Sequence, residues 1–210
     1  MTRAAPYDRD KTLDRAMQLF WSKGYHATSL KDLEAALDMR PGSIYAAFKS
    51  KDTLFRLALE RYHARMAEVF EEKLAETESP LQALADWLRL HVERRLRDPA
   101  PPACMLAKTS LELADVPGEA GAEARAYLRR VGERFAEVFA LARARGELPD
   151  SADPERLARL LQAKIMGLTV FLQRETDPEV LLMLADDMAR EVLALGHAGT
   201  GAPAEHARQG

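Results

Sequence analysis

Leu33-Glu34-Ala35-Ala36-Leu37-Asp38-Met39-Arg40-Pro41-Gly42-Ser43-Ile44-Tyr45-Ala46-Ala47-Phe48 reads as two short helices joined by a tight turn. Leu33, Met39, Ile44 and Phe48 are the apolar positions that lock two such helices at a fixed angle, and the small Ala36 and Ala47 permit close approach. Pro41 suits the first turn of the second helix, where its missing N–H would be unpaired in any case. The face left exposed carries Arg40, Ser43, Tyr45 and Ala46. This is the outline of a helix-turn-helix, whose second helix lies in the major groove of DNA.

Helical signals continue on both sides. Upstream, Leu13, Ala16, Met17, Phe20 and Trp21 share one helix face, and Gly24 is placed to end that helix in a positive-φ conformation. Thr28 or Ser29 caps the next helix. Downstream, Ser50 caps a long helix carrying Leu54, Phe55, Ala58, Leu59, Tyr62, Met66, Val69 and Phe70. Lys49 and Lys51 flank that cap, where free N–H groups and positive charge suit a phosphate.

Taken together, Ala16-x-x-Leu19-Phe20-x-x-Lys23-Gly24-Tyr25-x-x-Thr28-Ser29, Leu33, and Gly42-Ser43-Ile44-Tyr45-x-x-Phe48-Lys49-Ser50-Lys51-x-x-Leu54 resemble the TetR family of bacterial transcriptional regulators. The resemblance implies an all-α homodimer with an N-terminal DNA-binding domain and a variable ligand-binding domain, acting as a repressor that its ligand releases from DNA. It implies a DNA-contact set drawn from Thr28, Ser29, Lys31, Arg40, Pro41, Gly42, Ser43, Tyr45, Lys49 and Lys51, with Tyr45 and Lys51 on phosphates. Two positions depart from the family pattern. Asp38 stands where glycine is usual, and Asp tolerates the left-handed region better than most residues. Ala46 and Ala47 stand where larger residues are frequent, which leaves base reading to Arg40, Ser43 and Tyr45.

Beyond Pro80 the pattern gives further helices over 81–96, 104–113 and 119–145, separated by the proline-rich Asp98–Ala103 and by Pro117-Gly118. Asp153-Pro154 and Asp177-Pro178 each supply an N-cap with proline behind it and open two more. Leu157, Leu160, Leu161, Ile165, Leu168, Val170, Phe171 and Leu172 cover several faces of the first of these. Val180, Leu181, Leu182, Leu184, Met188, Val192, Leu193 and Leu195 do so on the second, which points to a partner subunit rather than a core within one chain. The expected layout is a DNA-binding domain over 1–52, a helical effector-binding and dimerisation domain over 53–196, and a disordered tail over 197–210.

Trp87, His91, Cys104, Met105, Thr109, Glu112, Phe135, Phe139, Met166 and Val170 are the candidates for lining an effector pocket, against ordinary packing for each apolar member. Their mixture suits an apolar or aromatic effector. Lys108 and Glu112 stand four apart, so a pair across one helix face is a simple expectation. Cys104, the single cysteine, opens a helix beside Arg94, Arg95, Arg97 and Lys108. It is either a small packing residue or an electrophile or redox sensor, as in a subset of TetR regulators with cysteine at the start of this helix.

Composition sets the outer bounds. Apolar residues are 47% and charged residues 30% of 210, a globular balance, and no apolar run approaches membrane-spanning length. One cysteine forbids an intrachain disulfide and, with no signal-like N-terminus, favours the cytoplasm. Net charge is −3, split into +2 over 1–55 and −5 beyond, so DNA affinity must rest on a few well-placed contacts. There is no phosphate loop or nucleophile motif, and His26, His63, His91, His197 and His206 are scattered. Neither a cofactor nor a metal is therefore expected, and an enzyme or a small-molecule binder without DNA is the alternative class. The expected partners are double-stranded operator DNA, a small-molecule effector and a second copy of the chain, with no membrane.

Overall fold

The computed structural model describes residues 8–98 and 104–196, and these contain nine helices and no strand. The expected proline break over 99–103 and the expected tail over 197–210 lie outside the described residues. The helices are α1 (Arg9–Lys23), α2 (Leu30–Leu37), α3 (Pro41–Phe48), α4 (Lys51–Ala75), α5 (Pro80–Arg97), α6 (Met105–Glu112), α7 (Glu119–Ala144), α8 (Pro154–Phe171) and α9 (Pro178–Ala194).

Local chemistry accounts for most of their ends. Ser29 and Asp32 form a reciprocal capping box at α2, Ser50 accepts from the Thr53 N–H at α4, and Asp153 and Asp177 cap α8 and α9 ahead of Pro154 and Pro178. Asp38 takes φ 52° and ψ 46° at the end of α2, so the turn forms without glycine. Gly24 ends α1 at φ 88°.

Two apolar cores are stacked along the molecule. The first joins α1, α2, α3 and the N-terminal part of α4 through Phe20, Leu33, Ile44, Phe48 and Phe55, and it takes in Met105 and Leu106 of α6 and Ala120 and Ala124 of α7. The second joins the end of α4 with α5, α7, α8 and α9 through Phe70, Leu84, Leu88, Phe139, Leu161 and Leu181. α4 runs through both and, at 25 residues, is about 37 Å long. Arg61 fixes α1 on α4 with a two-pronged contact to Asp14, at 2.6 and 2.9 Å, and a third bond to Asp10.

α8 buries Ala158, Leu161, Leu168 and Thr169, and α9 buries Leu181, Ala185, Ala189 and Val192. Leu168 and Leu172 thus belong to the core of one chain. The exposed large apolar residues of these helices are Leu160 and Val170 on α8 and Leu182 and Met183 on α9, while Leu157, Ile165, Phe171, Leu184, Met188 and Leu193 are half-buried. Among the described residues no helix is long and apolar enough to cross a membrane.

Candidate DNA-binding face and effector cavity

Ile44 and Phe48 face the core, and that orientation turns Gly42, Ser43, Tyr45 and Ala46 of α3 outward. Tyr45 is 47% exposed, a large fraction for an aromatic ring with no partner helix over it. Arg40 is exposed at the N-cap of α3 and makes no side-chain cap bond, while Pro41 occupies the first turn. Lys31 is exposed on α2. Lys49 links α3 to α4 at φ 65°, a left-handed value uncommon for a side-chain-bearing residue. These residues form one outward surface with α3 at its centre, able to meet base edges and phosphates.

Three of the candidates have other duties. Thr28 is buried, with its hydroxyl donating to the Gly24 carbonyl at 2.6 Å, so it supports the turn rather than facing DNA. The Ser29 hydroxyl donates to the Asp32 carboxylate inside the capping box. Lys23 also pairs with Asp32 at 2.7 Å, and this ammonium, followed by Ser29, holds the Asp32 carboxyl below the usual carboxylate range. The Lys51 ammonium lies 4.5 Å from the centre of the Tyr25 ring, and burial lowers its pKa.

α6 grips this unit at the end of α1 and the turn that follows, next to Lys51. The Lys108 Nζ donates to the Trp21 and Ser22 carbonyls at 3.1 and 2.8 Å, in the last turn of α1, where helix carbonyls lack partners. The Glu112 carboxylate accepts from the Tyr25 and His26 N–H groups at 3.0 and 2.7 Å. The expected Lys108–Glu112 pair is therefore replaced by two contacts, each reaching more than eighty residues back along the chain. Met105 and Thr109 lie buried on the same short helix.

A cavity of about 260 Å³ lies between α1, α4, α5, α7 and α8 and reaches Cys104 and Leu106 at the start of α6. Trp87, His91, Cys104, Phe135 and Met166 of the candidate set line it. Met105, Thr109, Glu112, Phe139 and Val170 do not. Met105, Thr109 and Phe139 are buried in the cores, Glu112 is committed to the α1–α2 turn, and Val170 is 60% exposed on the outer side of α8. His91 Nδ1 lies 2.7 Å from the Trp87 carbonyl, and burial lowers the pKa of the ring. Cys104 is half-buried at the N-cap of α6. Burial raises the pKa of the neighbouring Tyr62 phenol, and its contact with Cys104 adds to the shift. A depression of about 460 Å³ beside Leu74, Pro80, Leu141 and Arg145 is larger but is an open surface groove.

Sequence reading missed Tyr62, Arg65 and Gln162 on the cavity wall, and it named Arg94 for its charge beside Cys104 but not as a lining residue. The signal for Arg94 was present. Trp87, His91 and Arg94 follow helical spacing, so the arginine shares a face with the two residues already singled out.

Comparison with known proteins fits this geometry. Residues 13–58 match the family model described as bacterial regulatory proteins, tetR family, and residues 77–188 match the tetracyclin repressor-like C-terminal domain. The chain is similar to the HTH-type transcriptional repressor ComR of Escherichia coli, with 33% identity over 190 residues that cover 90% of each chain. It is similar at 29% identity to the HTH-type transcriptional regulator YezE of Bacillus subtilis, over 86% of this chain and 94% of that one. Among solved structures, a triple cysteine mutant of the TetR family regulator CifR, complexed with a 26-base-pair operator, superposes with a TM-score of 0.78. It shares 32% identity over 90% of this chain and 98% of CifR.

Proposed function

The chain belongs to the TetR family of bacterial transcriptional regulators, and from that premise we propose a ligand-responsive repressor that binds a palindromic operator as a homodimer. The protein is a DNA-binding regulator and not an enzyme. Operator binding is supported by the exposed α3 face and by the operator complex of CifR. Two copies of α3 on a two-fold axis suit successive major grooves, about 34–36 Å apart or a multiple of it. In this reading Arg40, Ser43 and Tyr45 meet the DNA directly, while Lys31, Lys49 and Lys51 supply positive charge toward the backbone. A regulator of chromosomal operators works in the cytoplasm.

The observation that carries the ligand response is the position of α6. Its N-terminal end, Cys104 and Leu106, borders the cavity, and its side chains Lys108 and Glu112 hold the α1–α2 turn. An effector that displaces α6 therefore changes how the DNA-binding unit is held. A difference of a few kcal/mol in effector affinity between the two arrangements is enough to release the operator. Alkylation or oxidation of the Cys104 thiol at the cavity wall acts on the same helix and is a second input.

The test is a gel shift with the DNA upstream of the protein's own gene. Arg40→Ala is expected to relax preference at particular base pairs, and Lys51→Ala to weaken all sequences alike and flatten the salt dependence by about one phosphate. Operator affinity with and without an alkylating agent, for wild type and Cys104→Ser, tests the thiol. Equal loss in both proteins reduces Cys104 to a packing residue, and absence of any specific shift sinks the repressor reading.

A further inference from the structure

The cavity holds charge that an apolar effector does not account for. Arg94 lines it from α5, and among the described residues its guanidinium has one hydrogen-bond acceptor, the Met66 thioether, 3.5 Å away. A thioether is a weak acceptor, and a guanidinium has five donors. Arg65, an exposed residue, lines the same cavity from α4, and its charge also acts on Asp14, the carboxylate that Arg61 grips. The lining carboxylate among the described residues, Asp98, is exposed and has an interaction of its own. His91 adds no charge at neutral pH. Burial keeps its ring neutral, and the Nδ1–H donates to the Trp87 carbonyl. Arg95 also lines the cavity and is engaged through its Nε with the Leu172 carbonyl, Gln18, Gln162 and Thr169 add neutral polar groups, and the apolar part of the wall is dominated by Trp87, Phe135 and Met166.

This arrangement discriminates between kinds of occupant. A neutral molecule filling the cavity strips water from Arg94 and returns no acceptor, which is costly for a cation. A carboxylate replaces that water with charge-assisted and bidentate hydrogen bonds, the geometry a guanidinium fork matches best. We propose that the effector is an amphipathic organic anion, with an apolar tail against Trp87, Phe135 and Met166 and a carboxylate or similar oxyanion held by Arg94 with Arg65 beside it. The inference rests on the reading of this cavity as the effector site, and it replaces the expected apolar or aromatic ligand by one with a charged head.

Calorimetric titration of the full-length protein with octanoate and 4-phenylbutyrate, each against its matched alcohol, tests it. Both carboxylates should bind about tenfold tighter than the alcohols, or more. Arg94→Met should remove that preference while the alcohols bind as before, and Arg94→Lys, which keeps the charge but not the fork, should retain part of it. Melting curves check that each variant is folded. Loss of the preference only in Arg94→Met/Arg65→Met assigns the head to both arginines. Equal binding of acid and alcohol by the wild type, a preference that survives the double substitution, or failure of every carboxylate to bind overturns the proposal. Operator affinity is measured in parallel. A carboxylate preference with no effect on operator binding leaves the anion site standing and sinks its effector role, whereas operator release by the alcohols alone does the reverse.

Discussion

Gly24 stands where two constraints meet. Its φ of 88° is strained for any residue with a side chain, and a Cβ built there would lie 2.7 Å from Glu112 Oε2. Gly24→Ala should lower stability by roughly 1–3 kcal/mol in urea unfolding. The cost should shrink in a Glu112→Ala background, where the clash is gone. Strict additivity of the two substitutions would show that the contact carries no energy. His91 gives a pH signature with a definite sign. Burial lowers its pKa below the ordinary 6.5, and His63 is shifted the same way, again mainly by burial. Below about pH 6.5 the unfolded chain takes up protons that the folded chain refuses. The stability of the wild type is therefore intact above that point and falls as pH drops toward the folded pKa, with a limiting slope of roughly 1.4 kcal/mol per pH unit for one proton. His91→Leu should flatten the slope in denaturant titrations between about pH 7 and 5, leaving the share of His63. An unchanged slope would remove His91 from the account.

At the scale of elements, α6 is the informative helix. It has eight residues, too few to be stable alone, and it is held by Met105, Leu106 and Thr109 in the core. In return it closes the end of α1 with a cation on carbonyls and the following turn with an anion on N–H groups. Lys108→Met with Glu112→Gln keeps size and removes both charges. The pair should cost about 1–3 kcal/mol, since charge-assisted bonds are worth more than neutral ones. Amide exchange should quicken at Tyr25 and His26 and through the last turn of α1. In operator titrations the doubly substituted protein should respond less to an occupant of the cavity. If exchange in that turn is unaltered, α6 does not hold the DNA-binding unit.

For the whole molecule the outstanding surface is the outer side of α8 and α9. Leu160 and Val170 on α8 are 50 and 60% exposed and Leu182 and Met183 on α9 are 45 and 58% exposed, large apolar residues that a second copy would cover. Light scattering should find twice the 23.4 kDa chain mass for the wild type. Leu160→Glu with Val170→Glu should give a folded monomer with a near-native melting curve. A wild-type monomer at micromolar concentration rules the dimer out. Leu168 is the wrong place for this test. At 2% exposure it packs inside one chain, and a charge there would unfold the protein rather than divide a dimer.

The sequence alone determined where helices start and stop, because capping acts over three or four residues. Ser29, Ser50, Asp153 and Asp177 cap as their neighbours dictate, and Asp38 takes the left-handed turn by its own conformational tolerance. The α3 face was legible for the same reason, since Ile44 and Phe48 point inward by helical period and leave Ser43 and Tyr45 outside. Only the tertiary structure decided which apolar residues border a void and which fill a core, because Phe135 and Phe139 stand one turn apart on the same helix and differ only in what packs against them. It also decided that Thr28 is internal, that Leu168 is spent within the chain, and that Lys108 and Glu112 ignore each other for α1. Those outcomes depend on backbone groups and side chains brought together from far along the chain, where helical periodicity carries no information.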